Sequence, residues 1–188
     1  MEQKLDIITI GESLIELSSD LKLSNAECLH KYYGGDSLVS AVAASRLGAK
    51  VGFITRVGND PFKEYLLDCW TSEGLDISYV KISDEPNGFY FITRPSVEEK
   101  ELIYYRKKVA QSKLSIDDIS EDYIKSAKIV YSTGITQSIS LSSNVKVPSS
   151  AISKKFIHLS KVVFPEPDGP IIAMTSPFST SRSIPLRI

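Results

Sequence analysis

Apolar positions along this chain fall into short runs with the rhythm of strands, separated by stretches with the rhythm of helices. Residues 5–10 are apolar apart from Asp6 and Thr9 and stop at Gly11, the pattern of a buried strand. Residues 12–17 keep Leu14, Ile15 and Leu17 apolar and predict an extension or a partner of that strand. Residues 29–33 predict a short strand feeding Gly34 and Gly35. A helix of small residues follows, and Gly48 suits a left-handed cap at its end. Residues 50–57 are β-branched and aromatic, so another strand is expected.

Asp60 and Pro61 then open a second helix as N-cap and first helical residue. It runs to about Glu73, with Phe62, Tyr65, Leu66, Cys69 and Trp70 on one face, and Gly74 ends it. Trp70 reads as core. Residues 78–82 predict a strand. Residues 88–94 and 101–106 are two strand-like runs around the polar loop 95–100, which predicts an antiparallel hairpin. Ser115-Ile116-Asp117-Asp118 has the form of a capping box opening a helix to about Ala127. Residues 129–132 read as a strand, and Thr133-Gly134 as a turn off its end. Strand, helix and strand in this order predict an α/β fold with a parallel sheet.

Composition narrows the function. With 188 residues, 42% of them hydrophobic, the chain can bury the core of one soluble globular domain. A formal net charge of -1 gives no electrostatic case for nucleic acid or an acidic membrane surface. The apolar run in residues 1–10 is too short for a membrane span and unlike a secretory leader. Cys28 and Cys69 lack metal-ligand spacing, so a cytoplasmic protein without a cysteine metal site is expected.

The candidate chemistry gathers at two places. Gly34 and Gly35 carry no Cβ, so a ligand can approach the backbone there, and first-turn N–H groups have no partner inside the helix. Asp36 can accept hydrogen bonds from hydroxyls or cap the helix. Taken alone, the same residues read more simply as a glycine turn with an N-cap. In the hairpin, Tyr90, Tyr104 and Arg106 can hydrogen-bond a polyol or pair with a carboxylate, because arginine's planar fork fits a carboxylate bidentately. A solvated hairpin whose aromatics cover its own core is the competing reading. Ligands in open α/β sheets sit outside the carboxyl ends of strands, which favours the ends near Gly11, Gly34, Gly58 and Gly134.

These residues together resemble a known family. Gly11-Glu12, the Gly34-Gly35-Asp36 helix ending in Arg46-Leu47-Gly48, and Arg56-Val57-Gly58-Asn59-Asp60-Pro61-Phe62 recur in this order in the ribokinase-like (PfkB) carbohydrate kinases. Tyr104-Tyr105-Arg106 with Ala110, Ser112 and Leu114, then Ser132-Thr133-Gly134-Ile135, is most similar to the 2-keto-3-deoxygluconate kinases. The resemblance covers about residues 5–142. It implies a three-layer sheet domain with a small β lid at about residues 88–107 and a sugar beneath the lid. Gly34, Gly35 and Asp36 would hold sugar hydroxyls, and Tyr90, Tyr104 and Arg106 the sugar acid, with Arg106 near its carboxylate. The implied cofactors are ATP and Mg²⁺, and lid strands in such kinases can pair two subunits.

Two departures stand out. Where these kinases commonly carry Asn, this chain has Val39, which removes a polar sugar contact. The family's Gly-Ala-Gly-Asp turn, with its catalytic Asp and anion hole, has no counterpart. Beyond Gly134 the one glycine is Gly169, and beyond Asp122 the only side-chain carboxylates are Glu166 and Asp168, both in a proline-rich turn. Residues 143–188 form an atypical tail rich in serine and proline, in which His158 reads as a packing residue. The sequence therefore supports two expectations: a sugar kinase by lineage, or a truncated, inactive remnant that at most binds a sugar acid. No catalytic residue or metal ligand is assigned.

Overall fold

A computed structural model describes residues 4–140. Its centre is a parallel sheet of three strands: β1 (Leu5–Ile10), β4 (Val51–Ile54) and β9 (Ala127–Ser132), with β1 in the middle. β2 (Leu14–Ser19) and β3 (His30–Gly34) fall before the helix α1 (Asp36–Arg46). β5 (Arg56–Gly58) pairs with β6 (Lys81–Ser83) across α2 (Lys63–Ser72). The hairpin is β7 (Phe89–Thr93) and β8 (Glu101–Tyr105). Two short helices, α3 (Glu121–Lys125) and α4 (Gly134–Ile139), flank β9.

Strand parity divides the central sheet's side chains into two cores. Val51 and Phe53 face α1 and α2, meeting Leu38, Ala41, Leu66 and Trp70. Phe53 and Trp70 contact edge to face at 5.3 Å. On the other face, Ile8, Ile10 and Ile54 meet Leu114, Ile124 and Val130. Burial on both faces explains the continuous apolar character of β1 and β4. Helix, sheet and helix make three layers, as the resemblance implies.

The second sheet departs from one expectation. β2 does not extend or pair with β1; it pairs antiparallel with β3 and parallel with β7, giving the order β3-β2-β7-β8. The lid is thus a four-stranded sheet, larger than a hairpin. Between β1 and β2, Gly11 is closely packed, and a Cβ there would overlap the Ser37 and Thr136 hydroxyls. Three further differences are local. The 50–57 run breaks into β4 and β5 at Thr55. The capping box at Ser115 forms but serves only a 3-10 turn (Ile116–Asp118), and Ser120 caps α3 separately. Thr133 is no free turn but the N-cap of α4.

Gly48 and Gly74 end α1 and α2 at φ values of 91° and 77°, the left-handed region where glycine is favoured. Asp60 behaves differently from a simple cap. Its carboxylate accepts from the Phe62 N–H at 2.9 Å and from the Asn87 side chain at 2.7 Å, so it ties the start of α2 to the strand leading into the lid. The expected tail, residues 143–188 with Glu166, Asp168 and His158, lies outside the described residues.

Candidate functional site

The lid sheet carries its chemistry on one face because side chains alternate along each strand. Glu16, Tyr90 and Tyr104 stand in register across β2, β7 and β8. The Tyr90 hydroxyl donates to the Glu16 carboxylate, and the Tyr90 and Tyr104 rings lie 5.5 Å apart. Burial, then that hydrogen bond, raise the Tyr90 phenol well above its ordinary value, so it stays protonated and able to donate. The opposite face is hydrophobic: Phe89 stacks on Tyr105 at 5.0 Å, and Ile15 joins the main core.

Between the polar lid face and the start of α1 lies a cavity of about 460 Å³. Gly35, Asp36, Tyr90, Tyr104 and Arg106 all line it. Gly34 stands beside the cavity and not on its wall; the place of its missing Cβ is filled by the Tyr90 hydroxyl. At Gly35, with φ of 135°, a Cβ would overlap the Glu12 carbonyl. Gly35 is thus required by close approach of the backbone, whereas at Gly34 the neighbour is the movable end of the Tyr90 side chain.

Asp36 is fixed from two sides. The Ser37 N–H donates to its carboxylate at 2.7 Å, and the Thr133 hydroxyl donates to the other oxygen. Thr133 also meets Thr136 at 3.2 Å, and Ser37 donates to the Ile10 carbonyl at 3.1 Å. The start of α1 is therefore knitted to the ends of β1 and β9, where α/β sheets place their ligands. The cap residue of α1 is Gly35, and no side chain caps that helix.

Arg106 reaches the cavity from the end of β8. Its guanidinium lies over the Tyr104 ring at 4.4 Å and donates to Glu12 at 3.1 Å. Glu12 is 5% exposed, and burial raises its carboxyl above the ordinary range against the opposing pull of Arg106. Glu16, Arg94 and Lys100 complete the charged lining. Sequence reasoning missed these three, and it used Glu12 only as part of a motif. The signal was parity: 12, 14 and 16; 90, 92 and 94; and 102, 104 and 106 all face the cavity. Val39 and Ile135 add an apolar wall, with Val39 61% exposed.

Arg106 and Tyr104 also border a second cavity, of about 920 Å³, where Lys107, Lys108 and Lys113 converge. Among the described residues no group of three or more His, Cys, Asp and Glu could hold a metal ion, and no helix is long and apolar enough to cross a membrane.

A three-layer α/β domain with a β lid over a charged pocket defines a small-molecule-binding class. The chain belongs to the pfkB family of carbohydrate kinases, whose pattern it matches over residues 4–173, past the compositional change near Ser142. It is 33% identical over 159 residues to a 5-dehydro-2-deoxygluconokinase of Clostridium perfringens, covering 82% of this chain and 47% of that protein. It is 35% identical over 148 residues to a 2-dehydro-3-deoxygluconokinase of Thermoproteus tenax, covering 76% and 46%. A PfkB protein from Polaromonas superposes with a TM-score of 0.69 at 34% identity, covering 73% and 47%. A sugar kinase from Pyrococcus horikoshii, solved with ATP, gives 0.63 at 33%, covering 69% and 43%. The chain spans about half the length of the curated relatives it matches.

Proposed function

We propose that the described residues form the sugar-acid-binding part of a kinase that moves a phosphoryl group from ATP to a deoxygluconate-type substrate. One observation carries this reading. Asp36, Tyr90, Tyr104 and Arg106 converge on one cavity from α1 and the lid. A sugar acid needs hydroxyl acceptors at one end and a carboxylate partner at the other. Asp36 supplies the first and the Arg106 fork the second. The two relatives' names share the deoxygluconate unit, an acid in both cases. They leave 2-keto-3-deoxygluconate and its 5-keto-2-deoxy isomer as the substrates to compare.

The pfkB kinases use ATP, usually with Mg²⁺. Phosphoryl transfer needs charge stabilisation and a group that orients the attacking hydroxyl. Nothing in the sequence beyond Gly134 supplies the family's Gly-Ala-Gly-Asp turn. This favours a second reading, in which this polypeptide alone binds a sugar acid without transferring phosphate. Within that reading residues 1–142 carry the binding part and 143–188 stand apart from it. The exposed β8 edge, with Leu102, Ile103 and Tyr105, supports pairing of two copies through the lid.

A calorimetric titration of both sugar acids tests the binding claim. Arg106→Ala is expected to weaken either acid by tenfold or more, as befits a charged hydrogen bond of about 1.5–3 kcal/mol. Equal affinities for wild type and Arg106→Ala remove Arg106 from the site. A coupled ATP-consumption assay separates the two readings. Turnover that is lost in Asp168→Asn would refute the second.

A further inference from the structure

Arg106 spends one N–H on a partner that belongs to the protein. Glu12 Oε2 accepts from Arg106 Nη1 at 3.1 Å, and among the described residues this is the only hydrogen bond of that guanidinium. Glu12 itself is buried, and its second oxygen, Oε1, has no hydrogen-bond partner there. It sits at the turn after β1, pressed against Gly35, while Arg106 arrives from the lid. The pair therefore joins the turn after β1 to the end of β8 on the wall of the cavity.

Charge around the cavity is balanced. Three acids, Glu12, Glu16 and Asp36, face three bases, Arg94, Lys100 and Arg106. A sugar acid adds one negative charge, and its carboxylate would share a guanidinium with Glu12. Two carboxylates sharing one guanidinium disfavour each other's ionised form, and the effect is greatest on the one shielded from solvent. Glu12 is the member of the pair that is shielded from solvent.

We propose that Glu12 is the positioning residue for Arg106, and that it takes up a proton when a carboxylate-bearing sugar binds. Protonation turns Glu12 from a competitor for Arg106 into a donor, and it restores the cavity's charge balance. The groups facing Glu12 act in the same direction or are met by the exchange. Burial and the Asp36 carboxylate both raise its carboxyl, and Arg106, the opposing influence, becomes shared with the ligand. Binding that takes up a proton weakens as pH rises. A neutral sugar would show no such dependence.

This inference rests on the sugar-acid reading above, and the test keeps the two apart. The whole 188-residue chain is titrated with 2-keto-3-deoxygluconate and with a neutral hexose, over roughly pH 6 to 8, in buffers of different ionisation enthalpy. Wild type should take up close to one proton with the acid, and its affinity should fall by up to about tenfold per pH unit. Glu12→Gln should lose the uptake and the pH slope while still binding the acid, and Glu12→Asp should recover both. Acid binding by wild type without proton uptake overturns the proposal and leaves the sugar-acid reading standing. So does an unchanged pH slope in Glu12→Gln. Failure of wild type to bind the acid at any pH overturns both. If Glu12→Gln does not fold, the wild-type proton count decides alone.

Discussion

The two sheets of this molecule use the same strand geometry for opposite ends. In the central sheet β1 and β4 are covered on both faces, with Ile8, Ile10, Phe53 and Ile54 wholly buried, while Lys128 and Ile129 of β9 are exposed. In the lid one face is apolar and the other carries charge, and every residue of β8 is exposed. Among the described residues, no side chain of the central sheet lines the cavity. On the lid face toward the cavity, Glu16, Tyr90, Arg94, Tyr104 and Arg106 alternate with the apolar Leu14, Ile92 and Leu102. The buried core is concentrated in the first and the cavity's charged lining in the second, and side-chain pairs such as Glu12 with Arg106 and Tyr33 with Glu73 tie the lid sheet to the rest of the molecule.

That division fails if a core truncation and a lid truncation cost the same. Trp70→Ala should give the largest effect. Trp70 is fully buried against Phe53, and removing a ring of that size costs about 3–5 kcal/mol. Urea unfolding followed by circular dichroism would show the midpoint collapse. A loss below about 1 kcal/mol would mean that the helix layer contributes little to the central core.

Gly35→Ala comes next and strikes the boundary between the regions. The added Cβ meets the Glu12 carbonyl, and φ of 135° disfavours any L side chain. Strain of about 1–3 kcal/mol is expected, together with weaker sugar-acid binding as Asp36 and Glu12 shift. Gly34→Ala is milder, because it meets the movable tip of Tyr90 and not backbone. Equal losses for the two variants would show that Tyr90 is as rigid as the main chain.

Much of the fold was legible because burial writes itself into pattern. β1 is an apolar run broken only by Asp6 and Thr9, and the α2 face of Leu66 and Trp70 keeps helical spacing. The assignment of β2 was not legible. A strand with Leu14, Ile15 and Leu17 fits either sheet, and only pairing partners far along the chain decide. Asp36, Tyr90, Tyr104 and Arg106 were singled out through motif and chemistry, and they line one cavity. Glu16, Arg94 and Lys100 were passed over because a lone charge on a strand looks like solvent-facing surface until the sheet is closed over a cavity. The hydroxyl cluster of Ser37, Thr133 and Thr136 depends on contacts across about a hundred residues of sequence, which local spacing cannot encode.

A smaller effect is expected from Val39→Asn. Val39 is exposed on the cavity wall, so stability should move by no more than about 0.5 kcal/mol. An amide there offers one more hydrogen bond to a sugar hydroxyl, about 0.5–1.5 kcal/mol, or a several-fold gain in affinity. Weaker binding would assign Val39 to an apolar stretch of the ligand instead.

The smallest effect lies at the second link between the regions. Glu73, at the end of α2, accepts from Arg46 of α1 at 2.7 and 2.5 Å and from the Tyr33 hydroxyl of the lid sheet at 2.7 Å. The Arg46 bonds, then the Tyr33 bond, hold its carboxyl down to about 2 from an ordinary 4.5. A depressed carboxyl stabilises the fold above its unfolded value, and that contribution is lost as pH falls from about 4.5 through about 2. Arg46 is two-thirds exposed, so solvent screening keeps the contribution small. Glu73→Gln should flatten the acid limb of a stability-pH curve without altering the neutral plateau much. If the variant follows wild type throughout that limb, the charge at Glu73 adds nothing to holding the lid sheet against the helices.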